Sequence, residues 1–259
     1  MNPVWRWFHQ LGSPPYFYRF ATRWMPWFGI SALLLTVIGM YLGFVEAPAD
    51  YLQGDSFRIM YIHVPAAWMS MFIYGVMALN GAIALIWRIK LSELLFLSCA
   101  PIGAMFTAIT LITGMFWGKP TWGAYWVWDA RLTSQLLLLF LYFGFIALTR
   151  AIEDPRRADR AGAIIALVGA VNVPIIYFSV QWWNTLHQGA SVSLTKAPSM
   201  ATTMLTGMLV MALASWAYTL AVVLWRVRPM ILERERHTEW VGAELERAAR
   251  LSQTAGGRA

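Results

Sequence analysis

Residues 94–116 read L-L-F-L-S-C-A-P-I-G-A-M-F-T-A-I-T-L-I-T-G-M-F, twenty-three consecutive residues without a charge. A helix of that length spans about 35 Å, enough to cross a hydrocarbon layer of about 30 Å, a medium in which only helices and closed barrels satisfy the backbone. Five further runs of the same kind lie at residues 27–45, 64–86, 132–148, 163–180 and 203–225. Their apolar residues are continuous rather than alternating, which argues against a membrane β-barrel and predicts an all-α, polytopic membrane protein with six transmembrane helices. Composition agrees. Of 259 residues, 59% are hydrophobic and 13% charged, and the mean hydropathy is +0.53, whereas soluble domains carry roughly a quarter charged residues.

A net charge of +7 could indicate nucleic acid, but the positions of the charges say otherwise. Arg6, Arg19 and Arg23, the pair Arg88 and Lys90, the cluster Arg150, Arg156, Arg157 and Arg160, and seven arginines from Arg226 to Arg258 make up sixteen of the twenty basic residues. With six spans these segments all fall on one side, so the positive-inside rule places both termini in the cytoplasm. The excess charge reflects topology and contact with membrane lipid, with no nucleic acid partner implied.

The chain divides into a membrane domain, residues 1–230, and a charged cytoplasmic tail, residues 231–259, able to form a short surface helix. No cleavable signal peptide is evident, so the first span is expected to stay as an anchor. The lone Cys99, inside the third span, gives no disulfide framework and no haem-attachment motif, and it reads as packing. Pro65, Pro101 and Pro174 fall at or inside apolar runs, with Pro174 the expected interior kink.

Unusual residues gather in the three far-side loops, residues 46–63, 117–131 and 181–202. The middle loop reads W-G-K-P-T-W-G-A-Y-W-V-W-D from Trp117 to Asp129. If it is helical, with Pro120 in its first turn, Trp122, Trp126 and Asp129 share one face as an aromatic shelf. Trp117 reads as an interfacial belt residue, Asp129 also as a cap on the fourth span, and Arg131 also as a headgroup contact. His63 and His187 lie at span ends on this same side. Two neutral imidazoles can bind a metal ion or take both axial positions of a haem iron, and the tryptophans suit a flat apolar ligand. Arg58, Lys119, Arg131 and Lys196 are the basic residues available to its propionates. Zinc is disfavoured for want of further His or Cys ligands, although Asp50, Asp55 or Asp129 could complete a set. On the residues alone, caps that bond headgroups or loop carbonyls remain an equal alternative for each histidine.

The run W-G-A-Y-W-V-W-D-A-R-L-T, residues 122–133, resembles the tryptophan-rich WWD signature of haem-handling membrane proteins. Together with Y-I-H-V-P-A-A-W around His63, W-W-N-T-L-H-Q-G before and after His187, and six spans, the chain is similar to the CcmC family, the haem exporter protein C of bacterial cytochrome c maturation. The resemblance implies a non-enzymatic protein of the bacterial inner membrane. It would hold haem b at the periplasmic face and pass it to a membrane-anchored haem chaperone, in association with an ABC transporter's membrane and ATPase subunits and a small accessory subunit. His63 and His187 would be the axial ligands of the iron. Trp122, Gly123, Trp126, Trp128 and Asp129 would form the platform for haem and chaperone, with Arg58 and Arg131 beside the haem. Asp50, Gln53 and Arg58 match positions linked to the chaperone. Two other readings use the same histidines: a b-type cytochrome subunit that transfers electrons, and a transmembrane haem transporter. The spans show no line of polar residues that would mark a pore.

Overall fold

The computed structural model describes residues 12–187, 189, 192 and 200–256. Six of its helical segments are long and apolar enough to cross a membrane: Pro14–Glu46, Asp55–Trp87, Lys90–Trp122, Ala130–Ala151, Pro155–Trp182 and Thr202–Arg234. Each contains one of the predicted runs. The element order is α1 (Pro14–Tyr41), ending in a π-helical turn (Leu42–Glu46); a 3-10 turn (Asp55–Ile59) leading into α2 (Met60–Trp87); α3 (Lys90–Trp122); α4 (Ala130–Ala151); α5 (Pro155–Gly169) and α6 (Asn172–Trp182); α7 (Thr202–Arg234); and α8 (Glu239–Gly256). No strand occurs among the described residues. The central span is α3, the most buried of the six, and α1 is the least, lying mainly along α7.

Helices overrun the apolar runs because amphipathic turns outside the hydrocarbon still find partners. The first turns of α1 bury Phe17, Tyr18 and Ala21 against Leu91 and Leu94 of α3 and Leu224, Val227 and Ile231 of α7. At this same end α8 turns back, with Trp240 against Tyr18 at 5.9 Å between ring centres and Val241 buried. An ion pair closes the end: Arg234 of α7 donates to Oδ1 of buried Asp159 on α5 at 3.0 Å and lies 2.8 Å from its Oδ2.

The fifth span is two helices. Pro174 has no N–H to offer the carbonyl of Ala170, and the chain turns at residues 170–171, where the Val173 N–H donates to that carbonyl instead at 3.1 Å. The expected kink at Pro174 is therefore a break one turn upstream. The helices run through Pro65 and Pro101.

Helix contacts in the middle of the bundle combine aromatic packing with polar clamps. Tyr74, Phe96, Tyr142 and Phe145 are fully enclosed, and Cys99 is buried among them as packing. The Tyr142 hydroxyl donates to Ser70 O at 2.7 Å, Gln135 Nε2 donates to Ser70 Oγ at 2.9 Å, and Asn172 Nδ2 donates to Ser134 O at 2.9 Å. These bonds tie α2, α4 and α6 together. Gln135 and the tyrosine hydroxyls supply a polar web that a survey of Ser, Thr and Asn alone does not show.

Gly103 of α3 makes the web possible, since a Cβ there would stand 2.1 Å from Tyr142 Cζ. Gly103→Ala should therefore lower stability by about 1–3 kcal/mol, the usual range for overpacking. Gly75→Ala, where a Cβ meets nothing within 4 Å, should be neutral or slightly stabilising. Thermal unfolding of the two purified variants in detergent checks the contrast.

Candidate functional site

The end of the bundle away from Pro14 gathers the first turns of α2, α4 and α7, the last turns of α3 and α6, and the segments joining them. His63 sits in the first turn of α2, only 8% exposed. Its ring lies against the last turns of α3. Nδ1 is 3.0 Å from Thr113 Oγ1, and the ring meets Trp117 edge-on at 5.6 Å. His187 lies five residues beyond the end of α6, half-buried, with its ring centre 6.4 Å from that of His63 and 6.1 Å from that of Trp122. Two imidazoles bonded to one metal from opposite sides at about 2.0 Å each place their ring centres about 6 Å apart. The two histidines separated by 124 residues of sequence are thus brought to the spacing of a shared metal, with a tryptophan beside each.

No group of three or more His, Cys, Asp or Glu side chains converges among the described residues. Asp50, Asp55 and Asp129 do not complete a zinc-type set with the histidines. Two nitrogens with aromatic walls suit a metal whose remaining ligands come with it, as in haem.

The helical shelf does not form. α3 continues to Trp122, so Pro120 lies in its last turn rather than in the first turn of a new helix. The helix stops where Gly123 takes φ +79, its N–H donating to Lys119 O at 3.0 Å. Residues 123–129 then run without regular structure. At 33 residues α3 is about 50 Å long, more than a hydrocarbon layer of about 30 Å needs, and its residues 117–122 continue past the apolar run. Trp122 closes α3 and faces His187, whereas Trp126 and Trp128 form a separate edge-to-face pair at 5.3 Å. The Asp129 cap is present: Oδ1 accepts the Leu132 N–H at 2.8 Å and opens α4. Asp129 Oδ2 and Trp126 Nε1 are both buried without a partner. A cleft of about 240 Å³ lined by Val127, Trp128, Asp129, Asn184, Thr185 and Leu186 runs between this segment and the one leading to His187.

Trp117, the expected belt residue, packs against His63. Its Nε1 donates to Gln53 Oε1 at 2.6 Å, which turns the indole from the lipid onto His63. Gln53 is held in turn by Asp50, whose Oδ1 accepts the N–H groups of Leu52 and Gln53 at 2.9 and 2.8 Å, in a tight loop closed at Gly54 with φ +56. Asp50 and Gln53 therefore reach His63 through Trp117, a connection between residues 64 apart that no spacing rule reveals.

The basic residues expected near an anionic edge are turned onto protein acceptors. Arg58 donates to Asp55 Oδ1 at 2.9 Å and to Gly43 O at 2.6 Å, bracing the π-helical end of α1. Lys119 donates to Gly123 O and lies over the Tyr125 ring. Arg131 donates to Ile176 O of α6 at 3.1 Å. Lys196 lies outside the described residues.

Residues 7–242 match the family model described as Heme exporter protein C. Relatives carrying that name include one from Escherichia coli strain K12, 47% identical over 92% of this chain and 96% of its own length. Another, from Haemophilus influenzae, is 44% identical over 93% and 98%. A third, from Bradyrhizobium diazoefficiens, is 47% identical over 86% and 85%.

The bond between Gln53 and Trp117 has its own test. Gln53→Ala leaves a half-buried indole N–H without an acceptor, at a cost of about 1–3 kcal/mol. We expect a lower unfolding midpoint and a displaced Trp117 indole signal in a 15N spectrum, assigned by Trp117→Phe. An unmoved signal would show that the bond is not made.

Proposed function

The chain belongs to the haem exporter protein C family, and on that premise we propose that it holds haem at the periplasmic face of a bacterial inner membrane and delivers it to a membrane-anchored haem chaperone. The delivery serves assembly of c-type cytochromes and takes place in association with an ABC transporter's membrane and ATPase subunits and a small accessory subunit. Both termini and the arginine-rich end face the cytoplasm in this reading, in keeping with the positive-inside distribution. The observation that carries it is the pairing of His63 with His187 at 6.4 Å.

Haem b enters as cargo. Its iron takes a nitrogen from each histidine, one on the first turn of a long helix and one on a segment after a short helix. Trp122 and Trp117 supply apolar walls, consistent with the 6.1 and 5.6 Å ring contacts to the histidines. Trp126, Trp128 and Asp129, with Gly123 ending α3, form the surface for the haem edge and the chaperone. The buried Trp126 N–H is a donor in want of an acceptor, and a propionate or a chaperone carbonyl provides one. Asp129 Oδ2 is the matching acceptor for a donor on the chaperone. Arg131 and Arg58 act through structure: Arg131 ties α4 to α6 beneath the site, and Arg58 fixes the Asp50–Gln53 loop against the end of α1. The chaperone forms its covalent bond to haem on its own histidine, so this chain supplies orientation and no nucleophile, and it is not an enzyme in this reading.

Two substitutions test the parts separately. A His63→Ala, His187→Ala variant purified with the chaperone should lose bound haem and chaperone loading; full haem content and full loading would overturn the ligand assignment. Trp126→Ala and Asp129→Asn should weaken co-purification of haem and chaperone while insertion into the membrane is kept, since asparagine still caps α4. Aromatic contacts are worth about 1 kcal/mol each beyond area, so the single defects should be partial, near fivefold. Unchanged co-purification removes the platform role.

A further inference from the structure

His63 presents two nitrogens, and a metal needs the one that carries no hydrogen. Which one that is depends on what the other bonds. Here the neighbour is Thr113, whose Oγ1 is 3.0 Å from His63 Nδ1. That hydroxyl has a single hydrogen, and its shortest contact is 2.6 Å to Ile109 O, a carbonyl that can only accept. With its hydrogen committed to the helix backbone, the oxygen has lone pairs left for Nδ1, which must then be the nitrogen that donates. Nε2 is left bare. The surrounding surface of α3 is shaped to the same ring: a Cβ at Gly114 would come to 3.0 Å from His63 Cε1, and Trp117 closes the side one turn further on. His63 is only 8% exposed, so water offers little competition for Nδ1.

We propose that Thr113 is a positioning residue for haem binding, holding His63 in the Nδ1–H form and so aiming Nε2 at the iron. The inference rests on the reading of His63 as an axial ligand, but the tautomer itself is a property of the haem-free protein. Loss of such an outer hydrogen bond behind a metal-binding histidine costs about 10–100-fold in affinity. Thr113→Val keeps the shape and the β-branch and removes the acceptor; Thr113→Ser restores it.

The full chain, labelled with 15N-histidine and purified in detergent without haem, should show His63 with a protonated Nδ1 and a bare Nε2, assigned by His63→Ala. The signal should be kept in Thr113→Ser and moved towards the other tautomer in Thr113→Val. Titration with haem b should then give affinity about 10–100-fold weaker for Thr113→Val, with a shifted midpoint potential, and near-native values for Thr113→Ser. A native His63 protonated on Nε2, or a Thr113→Val variant with native haem affinity and potential, overturns the proposal. A native protein with the expected tautomer that takes up no haem would instead overturn the axial-ligand reading on which the positioning role rests. Should Thr113→Val fail to fold, the native and Thr113→Ser spectra still decide the tautomer.

Discussion

Lipid offers no partner to an N–H or a C=O, and the six described spans answer to that shortage. Backbone groups are satisfied by running six segments as helices, and irregular backbone is found where water or protein can compensate: at the bundle ends and at the Ala170 turn. Polar side chains inside the bundle follow the same rule. Serine and threonine hydroxyls at 98, 107 and 110 bond the carbonyl one turn back, while Gln135, Asn172 and Tyr142 reach across to other helices. Among the described residues the interior hydroxyls are thus spent on their own helix, and the amides and Tyr142 on holding helices together.

At that end the parts depend on one another in sequence. Asp50 shapes a five-residue loop, the loop presents Gln53, Gln53 turns Trp117 inward, and Trp117 with Thr113 seats His63. Substitution at Asp50 or Gln53 would therefore disturb the histidine even without touching a partner, so a defect in partner binding at those positions has two sources. Arg58 adds a second brace through Gly43 O, at the π-helical turn that ends α1. Such turns recur at functional sites because they re-aim the groups that follow.

Much of this was legible in the residues. Uninterrupted apolar runs announce membrane helices, because the signal is an average over some twenty positions and tolerates local error. His63 and His187 stood out as scarce types at span ends on one side, and Asp129 as a cap before an apolar run. What failed were the short-range conformations. A loop rich in tryptophan can satisfy its backbone to water in many ways, and the choice at Gly123 depends on how far α3 projects. Trp117 looked like any interfacial tryptophan, since the acceptor that captures it, Gln53, lies on another segment. The basic residues were visible as charges, but their engagement with Gly43, Gly123 and Ile176 carbonyls is a tertiary fact. Helix ends lie beyond the apolar runs for the same reason: apolarity marks the hydrocarbon, and helices continue wherever their amphipathic turns find a neighbour.

The broken fifth span gives the two histidines unequal mechanical footing. His63 belongs to a continuous 28-residue helix, braced by neighbours along its length. His187 follows the 11-residue α6, which is set off from α5 by the turn at residues 170–171 and bonded to α4 twice, by Arg131 to Ile176 O and by Asn172 to Ser134 O. His63 thus shares one unbroken helix with the core of the bundle, whereas His187 stands on a segment that a turn separates from the first half of its own span.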